Sequence, residues 1–359
     1  LVMDEAHTAS DKLVDFVSIY IGKKEIADLL DCELPTNTGL EHWTEWAADK
    51  FRLAMASLEA LKKERSNIQE IRGLRNLASK LDDLSKAAMW IRGVPSDPNV
   101  WMPGTTTDWV MEESDGATFS PVWAGGYAEK FMFAGIPKVI LTSATIVPKT
   151  VSYLGLLEGD FVFREMESTF PAARRPVYLT GSVSVKRTMT RGEEMMWMNK
   201  IDIIISARKD RKIIIHAVSY DRARFIYEKS RHRSNMVIHS TRDTMAQVDR
   251  FRRMSATAIL VSPSVRDGLD FPFADCEVAI IAKVPFVDMR PAVIQARRKQ
   301  DNRYLDYLAV TALVQSCGRG MRAANDMCEC FVVDANAEWL LARNKGMVPK
   351  WFKAAIKRV

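Results

Sequence analysis

The sequence predicts an α/β protein in which helices cover parallel sheets and a mainly helical insertion interrupts them. Three observations predict it. Apolar runs of four to six residues alternate with helical stretches through the second half, the pattern of strands buried on both faces. An apolar strand end, Leu1 to Met3, runs straight into two carboxylates. No proline falls between Thr44 and Arg92, where apolar residues recur at three- and four-residue spacings, as in long amphipathic helices.

The opening strand is expected to lead into a helix over 11–19, with Ser10 as its N-cap. Trp46, Phe51, Leu53, Met55, Leu58 and Leu61 mark the apolar side of a first long helix. A second covers 68–91, so an antiparallel hairpin is expected. Residues 93–126 hold Pro95, Pro98, Pro103 and Pro121 and read as loops and short strands, one at 108–111. A buried strand over 139–141 ends in Thr142-Ser143-Ala144-Thr145. Strands are expected at 213–218, 236–239, 258–261, 277–282 and 328–334. Helices are expected at 221–229, 244–253 and most of 292–318, with a helical tail.

The chain has 359 residues, 47% hydrophobic and 27% charged, enough for two or three domains with real cores. No stretch approaches the ~18 apolar residues of a membrane span, and no secretory signal is visible. Five cysteines, Cys32, Cys276, Cys317, Cys328 and Cys330, form no C-x-x-C pair. A reducing compartment and buried thiols are the expectation, with Cys328 and Cys330 on one strand face. Net charge is +6, but residues 171–260 hold 19 Lys and Arg against 8 Asp and Glu. A basic middle suits a polyanion such as nucleic acid; a solvated helical face would look the same.

Four segments carry chemistry. In Asp4-Glu5-Ala6-His7, carboxylates at a strand's C-terminal edge are placed for nucleotide-bound Mg²⁺. Asp4 would position the metal through water, and Glu5 would orient and deprotonate the attacking water. A solvated turn is the plain alternative. The second, 142–145, gains meaning only from its company, since small hydroxyl residues are ordinary turn material. In the third, 262–272, Gly268 allows close backbone approach and Asp270 can accept from a ribose hydroxyl or an arginine; an Asp-Gly turn would read alike. The fourth is Gln315-Ser-Cys-Gly-Arg-Gly-Met-Arg322. Arg319 and Arg322 are three apart, so on a helix they would share a face, with Gly318 relieving crowding. Two guanidiniums on one face suit a polyphosphate; a surface salt-bridge pair is the alternative.

With these segments in this order, the chain resembles superfamily 2 helicases, and most closely the XPD/DinG family of DNA helicases. LVMDEAH matches motif II, LTSAT motif III, VRDGLDFP motif V and QSCGRGMR motif VI. Lys283-Val-Pro-Phe286 and Phe331 to Asn336 also resemble that family. The 134 residues between His7 and Thr142 fall where the family inserts a helical arch. The resemblance implies RecA-like parallel sheets covered by helices. Its domains would be a first RecA-like remnant at 1–22 and 127–170, an arch-like insertion at 23–126, and a second RecA-like domain at 171–359. ATP and Mg²⁺ would sit between the RecA-like domains, with Asp4 and Glu5 serving metal and hydrolysis. His7, Ser143 and Thr145 would couple nucleotide state to DNA. Gly268 and Asp270 would sense nucleotide, and Gln315, Arg319 and Arg322 would reach the phosphates. Single-stranded or forked DNA is the implied partner, in repair or replication, with translocation usually 5′ to 3′. Ser219, Ser240, Arg242 and Arg266 are candidates for contact with the DNA backbone.

No G-x-x-x-x-G-K-[ST] phosphate loop occurs in the chain. In the family it precedes motif II, so it is expected upstream of Leu1, as is any iron–sulfur cluster. A chain that opens on Leu1, with a motif at its fourth residue, reads as cut from a longer protein or as a partial gene. By itself it is expected not to turn over ATP. A cytoplasmic location is implied in a bacterium or phage, a nuclear one in a eukaryote. A translocase that does not unwind, or a non-catalytic DNA-binding module, would use many of the same residues.

Overall fold

The computed structural model describes residues 1–36, 39–63, 68–91, 109–263, 271, 273–323 and 325–358. Two compact units form. One holds 1–162 and 288–302; the other holds 163–287 and 303–359.

In the first unit, β1 (Val2–Met3) pairs in parallel with Ile140–Leu141. The chain then turns through Ala6–Thr8 into the helix Ala9–Val17. The expected helix over 11–19 is therefore shifted. Ser10 lies inside it and donates to the Tyr153 carbonyl at 3.3 Å, while Ile19 opens β2 (Ile19–Gly22). Its β-branched neighbour at 21 is fully buried, so packing against a sheet decides the state of this segment.

A three-stranded antiparallel sheet follows, in the order β2, β4 (Gly116–Pro121), β3 (Trp109–Glu113). Two 24-residue helices, Leu40–Lys63 and Ile68–Ile91, share one core with it. The buried stripe of the first helix is Trp43, Ala47, Ala54 and Leu58, and that of the second is Leu74, Leu77, Leu81 and Leu84. Leu53 and Met55, expected inside, are 40% and 39% exposed. The helical period turns them away from Trp43, whose ring meets Phe119 edge-on at 5.0 Å.

In the second unit seven described strands form one parallel sheet. With the two-residue strand at 140–141 counted as β5, they are β6 (Val177–Leu179), β7 (Ile213–His216), β8 (Met236–Ile238), β9 (Ile259–Ser262), β10 (Val278–Ile281), β11 (Glu329–Val332) and β12 (Ile356–Arg358). Their order is β12-β6-β11-β10-β7-β9-β8. Alternate residues feed two cores. Ile214, Leu260, Ala279, Ile281 and Val332 face one; Ile213, Ile215, Val261, Ile280 and Phe331 face the other. Every residue of β7, β9 and β10 is buried, which is why these strands are apolar up to the polar His216 and Ser262 that end β7 and β9. The tail holds the expected helices at 336–343 and 350–355, but ends as the edge strand β12. Short strands with charged flanks carry little sequence signal. Among the described residues no helix is long and apolar enough to cross a membrane.

Candidate functional site

In the first unit the parallel pairing of β1 and β5 brings two distant segments into one network. Ala6 N–H donates to the Thr142 carbonyl at 2.9 Å, and Thr142 N–H to the Met3 carbonyl at 2.8 Å. Both segments leave the ladder at the same edge, so their first side chains meet. The Thr142 hydroxyl donates to Asp4 Oδ1 at 2.8 Å, and Glu5 N–H donates to the same oxygen at 2.9 Å. Those two bonds, the backbone one first, hold Asp4 below the usual carboxylate range. Asp4 is thus an exposed, ionised carboxylate with Oδ1 engaged within the loop.

Glu5 sits at φ 50°, in the left-handed region, which costs about 1 kcal/mol or more for a side-chain-bearing residue. Thr8 N–H and the Thr8 hydroxyl both donate to the Glu5 carbonyl at 3.0 Å and keep it there. The turn aims the Glu5 carboxylate at Ser143, whose hydroxyl donates to Oε2 at 3.2 Å. His7 Nδ1 lies 2.9 Å from that hydroxyl and 3.1 Å from Glu5 Oε2. Burial is the largest influence on His7 and lowers its pKa against the opposing pull of Glu5. Thr145 closes the chain, with its N–H donating to Ser143 Oγ at 3.2 Å. Five expected residues, Asp4, Glu5, His7, Ser143 and Thr145, are therefore connected. Thr142, the first residue of the hydroxyl segment, belongs with them; its place at the end of an apolar run, in line with Asp4, is the sequence signal for it.

An exposed carboxylate with one oxygen engaged suits Mg²⁺. That ion keeps several waters and relies on one or two carboxylates plus phosphates. No larger set of His, Cys, Asp and Glu ligands gathers among the described residues, so nothing here forms a cage that would hold a metal without such phosphates.

In the second unit the helix Tyr304–Cys317 ends at Gly318. Arg319 lies in the turn beyond it, and Arg322 lies further on, outside any helix. The expectation that they share a helix face is therefore corrected. Asp326 is the cause: its buried carboxylate accepts from Arg322 N–H at 2.6 Å and Ala323 N–H at 2.8 Å, bending the chain into a loop. Gln315 is half-buried in the last helical turn and Arg322 is exposed. Arg319 instead lines a narrow cavity against the sheet, with Ser316, His216 and Ile281. The glycine the turn needs is Gly320, not Gly318. A Cβ on Gly320 would lie 2.3 Å from Cys328 Sγ, whereas one on Gly318 would meet nothing closer than 3.7 Å.

The other candidates lie at the C-terminal ends of β7 and β8. Ser219 caps the helix Tyr220–Lys229, its hydroxyl accepting from Arg222 N–H at 3.3 Å. Ser240 donates both N–H and hydroxyl to Asp243 Oδ1 at 2.6 Å, while Arg242 is exposed. Behind these loops, buried Asp334 accepts from the N–H groups of Val185, Val284 and Asn336 at 2.9–3.1 Å. Lys283 is held below its ordinary value, first by burial and then by Arg222. Gly268, Asp270 and Arg266 lie outside the described residues.

Residues 203–355 match the family described as helicase C-terminal domain. The whole chain superimposes on solved XPD helicases. One is 12% identical over 68% of its own length, with a TM-score of 0.54. S. tokodaii Xpd4 is 12% identical over 75% of its length, with a TM-score of 0.56. An apo XPD is 14% identical over 76%, with a TM-score of 0.53. No curated protein matches the sequence. Residues 203–355 are thus matched as a helicase C-terminal domain, set in a chain whose fold is similar to that of solved XPD helicases.

Proposed function

We propose that the chain works in an ATP-dependent DNA helicase that couples hydrolysis to movement along single-stranded DNA and to strand separation. The observation that carries this reading is the linked set Asp4, Glu5, His7, Ser143 and Thr145 at one strand edge. Asp4, kept ionised, would hold Mg²⁺, and the ion would supply charge neutralisation at the nucleotide's phosphates. Glu5 orients the attacking water and takes its proton. Ser143 touches Glu5, His7 and Thr145, so a change at the carboxylate is felt by the hydroxyl and imidazole. That relay is the proposed coupling. Gln315, Arg319 and Arg322 are the proposed phosphate-contacting groups of the segment 315–322, and Gly268 and Asp270 those that sense the nucleotide. Exposed Arg242 and the loops at Ser219 and Ser240 contact the DNA backbone without reading sequence.

The test is separation of a 5′-tailed duplex by the longest natural form of the protein. ATP-dependent unwinding that a non-hydrolysable nucleotide abolishes is the expected result. ATP-dependent displacement of a bound protein from single-stranded DNA, with no strand separation, would replace this reading with a translocase. DNA binding without nucleotide dependence would leave a binding module.

A further inference from the structure

The residues proposed above to contact the DNA backbone, Ser219, Ser240 and Arg242, follow the C-terminal ends of β7 and β8. The opposite edge holds a separate cavity. Its floor is Ile205, Ile213 and Ile259, and its rim carries Arg208, Arg211 and His232. Ile213 and Ile259 open β7 and β9, so the cavity belongs to the N-terminal edge of the sheet.

Its guanidiniums are fixed in place. Arg208 grips Glu329 with two nitrogens, at 2.8 and 3.1 Å, and Arg211 reaches the same carboxylate at 2.8 Å. The Arg208 guanidinium also lies over the Phe331 ring at 4.3 Å. Two cations thus share one anion, and each guanidinium has N–H groups beyond those that bond Glu329. His232 is held from below, its Nε2 2.9 Å from the Ser206 hydroxyl. Lys209, also on the lining, is exposed.

The surroundings extend the charge. The runs 208–212 and 229–233 contribute seven Lys and Arg and one acid, Asp210. Three carboxylates from elsewhere answer them: Glu329, Asp275 at Lys212 and Asp202 at Arg231. The balance is positive, on a cavity with an apolar floor. Fixed cations beside an apolar floor match a nucleotide unit in a strand, with phosphodiester on the rim and base on the floor.

We propose that this edge of the helicase C-terminal domain is a second nucleic-acid contact, in which Lys209 and Arg211 hold the phosphodiester backbone of a single strand. It goes beyond the proposed motor reading, which places DNA at the other edge, and it stands without ATP.

The test is fluorescence-anisotropy titration of this chain with a labelled oligothymidylate across a salt series. Lys209→Ala and Arg211→Gln are compared with wild type and with Arg242→Ala at the opposite edge. Lys209 is exposed, and Arg208 remains on Glu329 when Arg211 is changed, so unchanged thermal melting should accompany both variants. Each of the two variants is expected to weaken binding several-fold at low salt. Each should also lower the slope of log K against log salt by about 0.7, the loss of one single-strand phosphate contact. Weaker binding in the Lys209 and Arg211 variants alone would support this contact and count against the opposite edge. Weaker binding only in Arg242→Ala would overturn this contact and leave the motor reading standing. A polyglutamate peptide of equal charge binding as tightly as the oligonucleotide would overturn it too.

Discussion

Two strand ladders carry the candidate chemistry, and they are built differently. In the first unit, β1 and β5 pair over two residues each, and Val2 and Ile140 are 68% and 56% exposed. In the second, β7, β9 and β10 are four residues long and buried throughout. The acidic network therefore depends on side-chain hydrogen bonds to hold its shape, whereas the arginine turn is seated on a continuous core. The same motif logic can rest on a polar frame or an apolar one, and the two should fail in different ways.

The sharpest contrast is in the cores. Ile280→Ala removes a fully buried side chain from the middle of the large sheet and should cost about 2–5 kcal/mol. Ile140→Ala, on the exposed ladder, should stay within about 0.5 kcal/mol. Denaturant titration of the two variants checks the pair; equal costs would erase the distinction. Next in size is Asp334→Ala, which leaves the buried N–H groups of Val185 and Val284 and the half-buried N–H of Asn336 without their acceptor at about 1–3 kcal/mol for each group that water cannot reach. Gly320→Ala forces a methyl into Cys328 and should cost about 1–3 kcal/mol, with Gly318→Ala the milder control.

The smallest effects belong to the polar frame and are read as titrations. Asp4 is held below its ordinary value, so its contribution to stability is present above the unfolded carboxylate range, near about 4, and is lost as pH falls through the lowered folded value. Thr142→Val removes one of its two hydrogen bonds and should move that loss to higher pH, visible in the Asp4 carboxyl NMR titration. His7 has the opposite sense of charge. Burial favours its neutral form, so the unfolded chain binds the proton first, and stability declines as pH falls below about 6.5. His7→Gln should flatten that decline in a pH series of thermal melts.

Much of this was legible in the residues. Apolar runs located β7, β9 and β10 because both faces of a parallel sheet are buried. The hydroxyl segment 142–145 and Asp4-Glu5 were paired by motif order, and hydrogen bonds join them. Less legible was whatever tertiary contact decides. The stripe of the helix Leu40–Lys63 runs through Trp43 and two alanines rather than through Leu53 and Met55, since small buried residues leave a weak apolar signal. The end of the helix Tyr304–Cys317 is set by Asp326 and by the thiol beside Gly320, neither of which is visible from a three-residue arginine spacing. Clustering of basic residues was evident from charge alone, but its pairing with Glu329 required the register of β11 beside β6 and β10.

The central claim is that Glu5 activates water while Asp4 holds the metal. Glu5→Gln, made in the longest natural form of the protein, separates those roles, because the amide keeps the shape and loses the base. DNA-stimulated ATP hydrolysis should fall by about 10²–10⁴, the range of general-base catalysis, while affinity for Mg²⁺-ATP stays within about twofold. Hydrolysis at the unaltered rate would contradict the account.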